Sequence, residues 1–441
     1  LAHRDTLTGV RNRASFKDAI ETATDIACGE HPCWVLAMDL DGFKPVNDQY
    51  GHAAGDQLMR EFADRVRKIG RPDSFLYRLG GDEFCIIQMD TPRAQVEESA
   101  RALVTAAAQP FQIGHNRIGI GVSIGIAAIP LDAADAETAQ RYADLALYSV
   151  KKHGGGDYAF FTSAHAERDL QERVMTLDLS RALANEEFEF VFQPVIHRTG
   201  RAIVGIEVLL RWTNGRTGRN VPPAEFVTAA ERSGVICRMD HWVISRAARQ
   251  ISQWLARGIE PPLVMINMSP LTLEDSKFLI RIDEILENHP RVGGRICIEI
   301  TEDDVTDNRA TFREIFQQLH DRGIQTAIDD FGTGQTSVTL LRDFPVSFIK
   351  LDRSYTEVTQ TDRQAMSIVT TIVRLSRELG VKAIGEGVET QEHLEALETI
   401  GCEMFQGHLW GRPVAASEIE ERFTSRPEST PGVDPVVTLQ A

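Results

Sequence analysis

The stretch Thr326-Ala327-Ile328-Asp329-Asp330-Phe331-Gly332-Thr333-Gly334 joins a short apolar run to two adjacent carboxylates and then to glycines. Such a run predicts a buried strand. Neighbouring carboxylates repel, so keeping both ionised beside an apolar strand requires cations or strong donors. Mg²⁺ and Mn²⁺ prefer oxygen ligands, and a carboxylate can bridge a metal pair. The stretch predicts a strand ending in a metal site with Asp329 and Asp330, although an isolated Asp pair is better explained as a cap or turn.

Seven strand-like runs in the C-terminal half carry polar side chains at or near their ends, and helix-like segments such as 242–255, 309–319 and 368–379 lie between them. This alternation is the pattern of a βα barrel, whose reactive groups gather at the C-terminal strand ends. Each polar residue alone has a simpler explanation as an edge charge, turn former or cap. Together they predict a site for hard cations. Besides the Asp pair, they are Glu207, Asn267, Glu299, Lys350, Glu386 and Gln406.

A second acidic group lies in the N-terminal half. A nearly continuous apolar run predicts a buried strand that ends at Asp39. Residues 75–87 predict a hairpin with a Gly80-Gly81 turn, which also carries Asp82 and Glu83. If the hairpin lies beside the first strand, these acids share a cation, and the glycines let a phosphate approach the backbone. An acidic surface hairpin is the alternative.

Length and composition indicate a globular chain of two domains, because 441 residues exceed what one ordinary core organises. Hydrophobic residues make up 42% of the chain, yet no apolar run reaches the roughly 18–20 residues that a membrane span requires. The chain starts at Leu1 without a signal-peptide pattern. We therefore expect a cytoplasmic fragment, or the cytoplasmic part of a membrane-anchored protein, that lacks an upstream sensory domain.

The charge of the chain restricts its partners. A formal net charge of −17 argues against a nucleic-acid polymer, since phosphate backbones are held by basic surfaces. A small anionic ligand held through metal ions remains compatible with this charge.

The N-terminal motifs resemble the GGDEF family of diguanylate cyclases, on the runs 39–48, 51–56 and 78–84. The resemblance implies that residues 1–161 form a nucleotidyl-cyclase-like α/β domain that joins two GTP molecules across a homodimer. It also implies that Asp39, the Leu40 carbonyl and Asp82 hold Mg²⁺, with Asp82 and Glu83 as catalytic residues. The implied GTP-binding residues are Phe43, Lys44, Asn47, Asp56, Gly80, Gly81 and Lys151.

Two positions depart from the GGDEF pattern. Ser74 stands in place of the acid of the family's product-inhibition motif, in the run Arg71-Pro72-Asp73-Ser74. Gly155 stands where the family usually has a phosphate-contacting arginine. We therefore expect weak product inhibition and weakened GTP binding or turnover.

The C-terminal motifs are similar to the EAL family of cyclic-di-GMP phosphodiesterases, and we assign residues 185–424 to such a TIM-like barrel. Val208 replaces the alanine of the motif that names the family and leaves Glu207 in place. A further departure is the run Gln335-Thr336-Ser337-Val338, in a loop that supports dimerisation and the second metal in the family. The motifs that carry the resemblance are at residues 192–194, 207–212, 267–269, 299–302, 329–332, 349–352, 386–389 and 406–407.

The EAL resemblance implies hydrolysis of cyclic di-GMP to linear pGpG with two Mg²⁺ or Mn²⁺ ions. Glu207, Asn267, Glu299 and Asp329 would hold one ion, and Asp329 and Asp330 the other. Lys350 and Glu386 would act in catalysis beside Glu207, and Glu302 would hold the loop after Asp330. The implied substrate-binding residues are Gln193, Arg211 and Gln406.

Two further segments and two alternative functions complete the prediction. Residues 162–184 suit a connecting helix, and residues 425–441, rich in Pro, Ser and Thr, suit a disordered tail. The two alternative functions are a receptor that only binds the dinucleotide and a scaffold that mediates protein contacts. The completeness of the acidic set favours the enzyme, because a receptor does not need so many metal ligands.

Overall fold

The computed structural model describes residues 3–70, 74–332, 337–358 and 363–424. The chain divides into two compact units, Leu1–Arg173 and Val174–Ala441. The division falls within a helix at Ser163–Ala184, inside the segment predicted to connect the domains. The domain limits at 161, 184 and 424 stay predictions. The run Arg71-Pro72-Asp73, the residues Gln335-Thr336 and the tail 425–441 lie outside the described residues.

The first unit is an α/β fold around a central sheet. Its strands are β1 (Arg11–Asn12), β2 (Cys33–Asp41), β3 (Ser74–Gly80), β4 (Glu83–Met89), β5 (Phe111–Ile113), β6 (Asn116–Ile118), β7 (Gly121–Ile129) and β8 (Tyr158–Phe160). Its helices are α1 (Arg13–Ile26), α2 (Phe43–Tyr50), α3 (His52–Ile69), α4 (Arg93–Ala107) and α5 (Ala136–Lys152), and α6 (Ser163–Ala184) follows. Among the described strands, the sheet order is β1-β3-β4-β2-β7-β8, and β5 pairs with β6.

The predicted strand before Asp39 is β2, which lies in the middle of this sheet between β4 and β7. Successive side chains of a strand point to opposite faces. Trp34, Leu36 and Met38 accordingly join one buried cluster, whereas Cys33, Val35 and Ala37 join another. Both faces of β2 are therefore covered, which explains its continuous apolar run.

The second unit begins within α6 and contains the strands and helices of a barrel. The strands are β9 (Phe188–His197), β10 (Ile203–Thr213), β11 (Asn220–Val221), β12 (Leu263–Asn267), β13 (Ile296–Thr301), β14 (Gln325–Phe331), β15 (Phe348–Leu351), β16 (Lys382–Gly385) and β17 (Met404–Gln406). The helices are α7 (Pro223–Ser233), α8 (Ile236–Ala256), α9 (Pro270–Leu273), α10 (Phe278–Asn288), α11 (Glu302–Asp307), α12 (Arg309–Asp321), α13 (Ser337–Asp343), α14 (Arg353–Val358), α15 (Arg363–Glu378), α16 (Gln391–Thr399) and α17 (Ala416–Thr424). Short 3₁₀ helices lie at Gly293–Arg295 and His408–Trp410.

Eight of the described strands close into a barrel, which confirms the predicted fold class. β10 and β12 to β17 pair in parallel around it, and β9 closes it by pairing antiparallel with both β10 and β17. The seven strand-like runs of the sequence correspond to the parallel strands. β9 was not among them, and it runs antiparallel because only residues 198–202 separate it from β10, too few for a crossover helix.

The barrel interior is a small apolar cluster of its own. Its members include Met265, Cys297, Ala327 and Phe348. The alternate residues of the same strands, such as Ile266 and Ile298, instead join the large cluster between the barrel and its helices. Interior-facing residues of a barrel thus fill it as a packed core and leave no pore.

Phe348→Ala should lower the free energy of unfolding of the second unit by about 3–5 kcal/mol, because the side chain is 3% exposed and its removal leaves a cavity. Ile280→Ala, on a side chain that is 58% exposed, should change it by less than about 0.5 kcal/mol. Urea unfolding followed by circular dichroism measures both. Similar midpoints for the two variants would contradict the assignment of Phe348 to the barrel core.

Candidate active site

The predicted site residues of the second unit follow the interior apolar residues by two positions. Asn267 follows Met265, Glu299 follows Cys297, and the same offset relates further pairs around the barrel. Because the side-chain period of a strand is two, each polar residue points to the same interior as its apolar neighbour, one layer higher. The further pairs are Ala327 with Asp329, Phe348 with Lys350, Ile384 with Glu386 and Met404 with Gln406.

The ammonium group of Lys350 lies at the centre of this layer. Its Nζ is 2.8 Å from Glu386 Oε1, 3.1 Å from Glu299 Oε2 and 3.3 Å from Asp329 Oδ2. Glu207 Oε2 is 3.5 Å away. Lys350 is buried, so it neutralises part of the carboxylate charge where water cannot.

Burial is the largest cause of the pKa shifts of Glu299 and Glu386. It raises the pKa of Glu299 well above its usual range, against the opposing attraction of Lys350. It raises the pKa of Glu386 to about 8 in the same way. Burial lowers the pKa of Lys350, but the surrounding carboxylates outweigh it and leave that pKa well above the usual value. Lys350 therefore stays charged.

Two amides hold Glu207 in place. Asn267 Nδ2 donates to Glu207 Oε1 at 2.6 Å, and Gln406 Nε2 donates to Glu207 Oε2 at 2.5 Å. Gln193 Oε1 lies 3.3 Å from the same Gln406 nitrogen. Because its NH₂ group donates to Glu207, Asn267 keeps its amide oxygen free to bind a cation. Arg211 lies further along β10, where its Nη1 donates to the Leu210 carbonyl, so its predicted phosphate contact stays a prediction.

Asp329, Asp330 and Glu386 form a second group, with ligand atoms all within 4.8 Å of one another. Adjacent residues in a strand normally point to opposite faces. Asp330 has a φ of +52°, and the pairing of β14 with β15 shifts register between Ile328 and Phe331. This left-handed residue brings the second carboxylate to the first, and a non-glycine residue held there is a strained feature typical of functional sites.

The donor set fits divalent metal ions. Glu299 Oε1 is buried without a hydrogen-bond partner among the described residues, so it is an acceptor that a cation would satisfy. If the carboxyl groups around Lys350 and that of Asp330 are all ionised, they carry more negative charge than this lysine can balance, and bound cations would supply the remaining positive charge. Carboxylate and amide oxygens are the ligands that Mg²⁺ and Mn²⁺ prefer. Glu207, Asn267, Glu299 and Asp329 could hold one ion, and Asp329, Asp330 and Glu386 another.

The second group is supported by Glu302, which the sequence analysis singled out, and by three residues for which it predicted no role. Glu302 Oε2 accepts the Gly332 N–H at 2.7 Å, in line with its predicted role. Burial, followed by repulsion from Asp329, raises the pKa of Asp330 to about 6. Repulsion from Asp352 and a hydrogen bond between the Asp352 and Asp330 carboxyl groups add to this rise. Asp352 lies in the Lys350-Leu351-Asp352 motif, but no role had been predicted for it. On α14, the Tyr355 hydroxyl donates to the Gly332 carbonyl and the Thr356 hydroxyl to the Glu386 carbonyl, contacts for which the sequence gives no signal.

The first unit brings its predicted acids together at one end of β2. Asp39 pairs with Glu83 across β2 and β4, and the β3–β4 turn places Asp82 in the same cleft. Lys151 Nζ is 2.6 Å from Asp39 Oδ1. Burial raises the pKa of Asp39, and Lys151 opposes this rise. The cleft has a volume of about 390 Å³, and Leu40, Phe43 and Lys44 also line it.

Two of the predicted GTP-binding residues lie on α2 and α3. Asn47 is half-buried and Asp56 is exposed. Gly55 makes room for Asn47, since a Cβ there would lie 2.0 Å from Asn47 Oδ1. In the turn after β3, Gly81 has a φ of +49°, which fits the predicted hairpin.

The loop at Gly155 packs closely against the Asp41 side chain. Gly155 has a φ of +70°, and a Cβ would lie 2.9 Å from the Asp41 carboxylate. Asp41 accepts the Gly156 N–H at 2.8 Å and the Ser123 hydroxyl at 2.7 Å. Asp41 thus closes the loop against β7 and occupies the space that a side chain at 155 would need.

Fold and site together define a class, namely a nucleotidyl-cyclase-like α/β unit followed by a βα barrel with a metal-type acidic site. The family description "EAL domain" matches residues 176–413, and "Diguanylate cyclase, GGDEF domain" matches residues 2–157. The chain therefore belongs to the EAL domain family and carries a GGDEF domain before it. No helix in the described ranges is both long and apolar enough to cross a membrane.

Similar proteins agree with this assignment. The bifunctional diguanylate cyclase/cyclic di-GMP phosphodiesterase MucR of Pseudomonas aeruginosa is 35% identical over 95% of this chain and 61% of its own length. The cyclic di-GMP phosphodiesterase PdeR of Escherichia coli is 33% identical over 96% of this chain and 63% of its own. This chain thus spans less than two thirds of either relative. The solved PaMucR phosphodiesterase in complex with c-di-GMP matches 56% of this chain and 99% of its own, at 32% identity and a TM-score of 0.53.

Metal affinity should depend on pH, because protons compete with metal at acids of raised pKa. Asp330 has a pKa of about 6 and Glu386 of about 8. Mn²⁺ affinity of the metal-free protein should therefore rise between those pH values, by about tenfold per pH unit for each proton displaced. Calorimetric titration measures it. Glu386→Gln should flatten the rise near pH 8, and an affinity independent of pH over this interval would contradict the expectation.

Proposed function

We propose that the barrel hydrolyses cyclic di-GMP to linear pGpG with two Mg²⁺ or Mn²⁺ ions. The observation that carries the proposal is the convergence of acids and amides around buried Lys350, at the C-terminal ends of the barrel strands. Family membership supports it, as does the similarity to MucR and PdeR, which are named as phosphodiesterases.

In this proposal, two metal ions held by these residues would supply Lewis-acid chemistry, polarising the phosphodiester and lowering the pKa of the attacking water. The water oxygen bonds to phosphorus as the bond to the 3′-oxygen breaks, and that oxygen leaves protonated. The chain's own residues set the geometry. The amides of Asn267 and Gln406 fix Glu207, so that its carboxylate does not rotate when substrate arrives. Lys350 offsets negative charge as the pentavalent phosphorus forms and the bond to the 3′-oxygen breaks. Gln193 and Arg211 would contact the substrate.

The arrangement favours hydrolysis over mere binding. A receptor for an anionic dinucleotide needs donors and cations, whereas this site gathers carboxylates whose burial is costly without metal. Carboxylates beneath a phosphate repel it unless metal ions intervene. A site that serves only to bind would be expected to avoid that repulsion, and a protein scaffold would need none of these residues.

Glu207→Ala should reduce pGpG formation by about 1000-fold or more, since it removes a metal ligand and leaves both amides without their acceptor. Glu314→Ala, at an exposed position on α12, is the control and should keep full activity. Ion-exchange chromatography of the products measures the rates. Intact protein that binds cyclic di-GMP with Mg²⁺ or Mn²⁺ and yields no pGpG would establish a receptor instead.

For the first unit, we propose binding of GTP with Mg²⁺ and weak diguanylate cyclase activity, or regulation of the phosphodiesterase by GTP. The cleft at Asp39, Asp82 and Lys151 supports binding of a metal-bound triphosphate. The glycine at 155 supports weak turnover, because one charged phosphate contact is lost. Cyclisation joins two GTP molecules, so the proposal includes a homodimer.

In the Glu207→Ala background, GTP with Mg²⁺ should give slow formation of cyclic di-GMP, and in the intact protein GTP should alter the rate of pGpG formation. Asp39→Asn should abolish both effects, because it removes a charged ligand from the cleft. Gly155→Arg should not restore fast cyclisation, because Asp41 occupies the space. If GTP neither binds, nor is cyclised, nor changes hydrolysis, the first unit has a structural role.

A further inference from the structure

The short helix α14 contacts the turn that carries Asp330. The Tyr355 hydroxyl donates to the Gly332 carbonyl, and the ring packs so closely that a Cβ at Gly332 would lie 2.8 Å from Tyr355 Cε2. On the other side of the same residue, the Gly332 N–H donates to Glu302. Both backbone groups of Gly332 are therefore fixed, two residues beyond Asp330.

The next residue of α14 contacts the turn that carries Glu386. Thr356 is buried, and its hydroxyl donates to the Glu386 carbonyl at 2.5 Å. The Arg353 side chain packs on Gly387, and its Nη2 lies 3.1 Å from Glu389 Oε1. One short helix thus contacts two turns that come from different strands, β14 and β16.

These two turns carry the carboxylates of one metal group. Asp330 and Glu386 contribute, with Asp329, the ligand atoms that lie within 4.8 Å of one another. Asp330 is held at a φ of +52°, which a non-glycine residue keeps only where its surroundings over-determine it. Asp329 belongs also to the other ligand group, which rests on β10, β12 and β13. The contacts made by α14 therefore affect mainly the ion that Asp329, Asp330 and Glu386 would hold, called the second ion below.

We propose that Tyr355 and Thr356 are positioning residues, whose hydroxyls hold the Asp330 and Glu386 turns at the spacing that the second Mg²⁺ or Mn²⁺ requires. The inference rests on the proposed two-metal phosphodiesterase. It assigns no contact with substrate to either residue. Their removal should weaken the second ion and leave the first, because Glu207, Asn267 and Glu299 do not contact α14 through these hydroxyls.

The test is Mn²⁺ titration of the full chain without GTP, by calorimetry and by electron paramagnetic resonance, for Tyr355→Phe, Thr356→Val and the double variant. Each substitution removes a hydroxyl and keeps the shape of the side chain. One of the two Mn²⁺ affinities should fall by about 10- to 100-fold, as is typical when a residue that orients a ligand is lost, and the other should stay unchanged. The Mn²⁺ concentration for half-maximal hydrolysis should rise in parallel.

Thr370→Val is the matched control for Thr356, because its hydroxyl donates only within α15, to Met366. Tyr142→Phe serves for Tyr355, on a ring stacked on Phe161 in the first unit. Both controls should bind Mn²⁺ like the unaltered chain. Equal weakening of both ions, or two unchanged affinities in the double variant, overturns the proposal.

The result can be distinguished from failure of the proposed function. If the unaltered chain binds two Mn²⁺ ions and produces no pGpG, the phosphodiesterase assignment fails and the titration still tests the positioning residues. If Thr356→Val unfolds at a lower temperature, Tyr355→Phe alone decides the matter, since Tyr355 is only partly buried.

Discussion

The ammonium group of Lys350 among four carboxylates is the interaction on which the barrel site depends. Burial already raises the pKa of fully buried Glu299, and without the attraction of this cation that pKa would rise further. With Lys350 present, the four carboxyl groups lie close enough together to bind a metal ion, and one lysine offsets only part of their negative charge. The lysine is therefore a structural counter-ion, but its single positive charge cannot balance four ionised carboxyl groups.

The barrel makes this arrangement possible through the period of its strands. An apolar residue and a polar residue two positions later share one interior, so the packed layer formed by residues such as Met265 and Phe348 lies directly beneath the acids. That layer excludes water from below and strengthens each electrostatic interaction above it. The fold and the site are thus two layers of the same side-chain pattern.

This pattern is also the reason that much of the site could be predicted from the sequence. Short apolar runs that end in acids or amides identify parallel strands and the layer above their core, as at Glu299 and Asp329. The pattern does not reveal β9, whose direction depends on the short connection to β10. It does not reveal the left-handed backbone of Asp330 or the position of Asp41 against Gly155 either, because both depend on contacts between segments distant in the chain.

The reversed direction of β9 decides where the chain enters the barrel. Phe188, at the beginning of β9, pairs with Trp212 near the end of β10, whereas a parallel strand would begin at the opposite end. Helix α6 ends four residues before Phe188, so the polypeptide joins the barrel at the rim that carries the acids. A tilt or rotation of α6 would therefore first displace β9, the strand that carries Gln193, at the end of the barrel where the acids lie. The apolar layer inside the barrel would not have to move first.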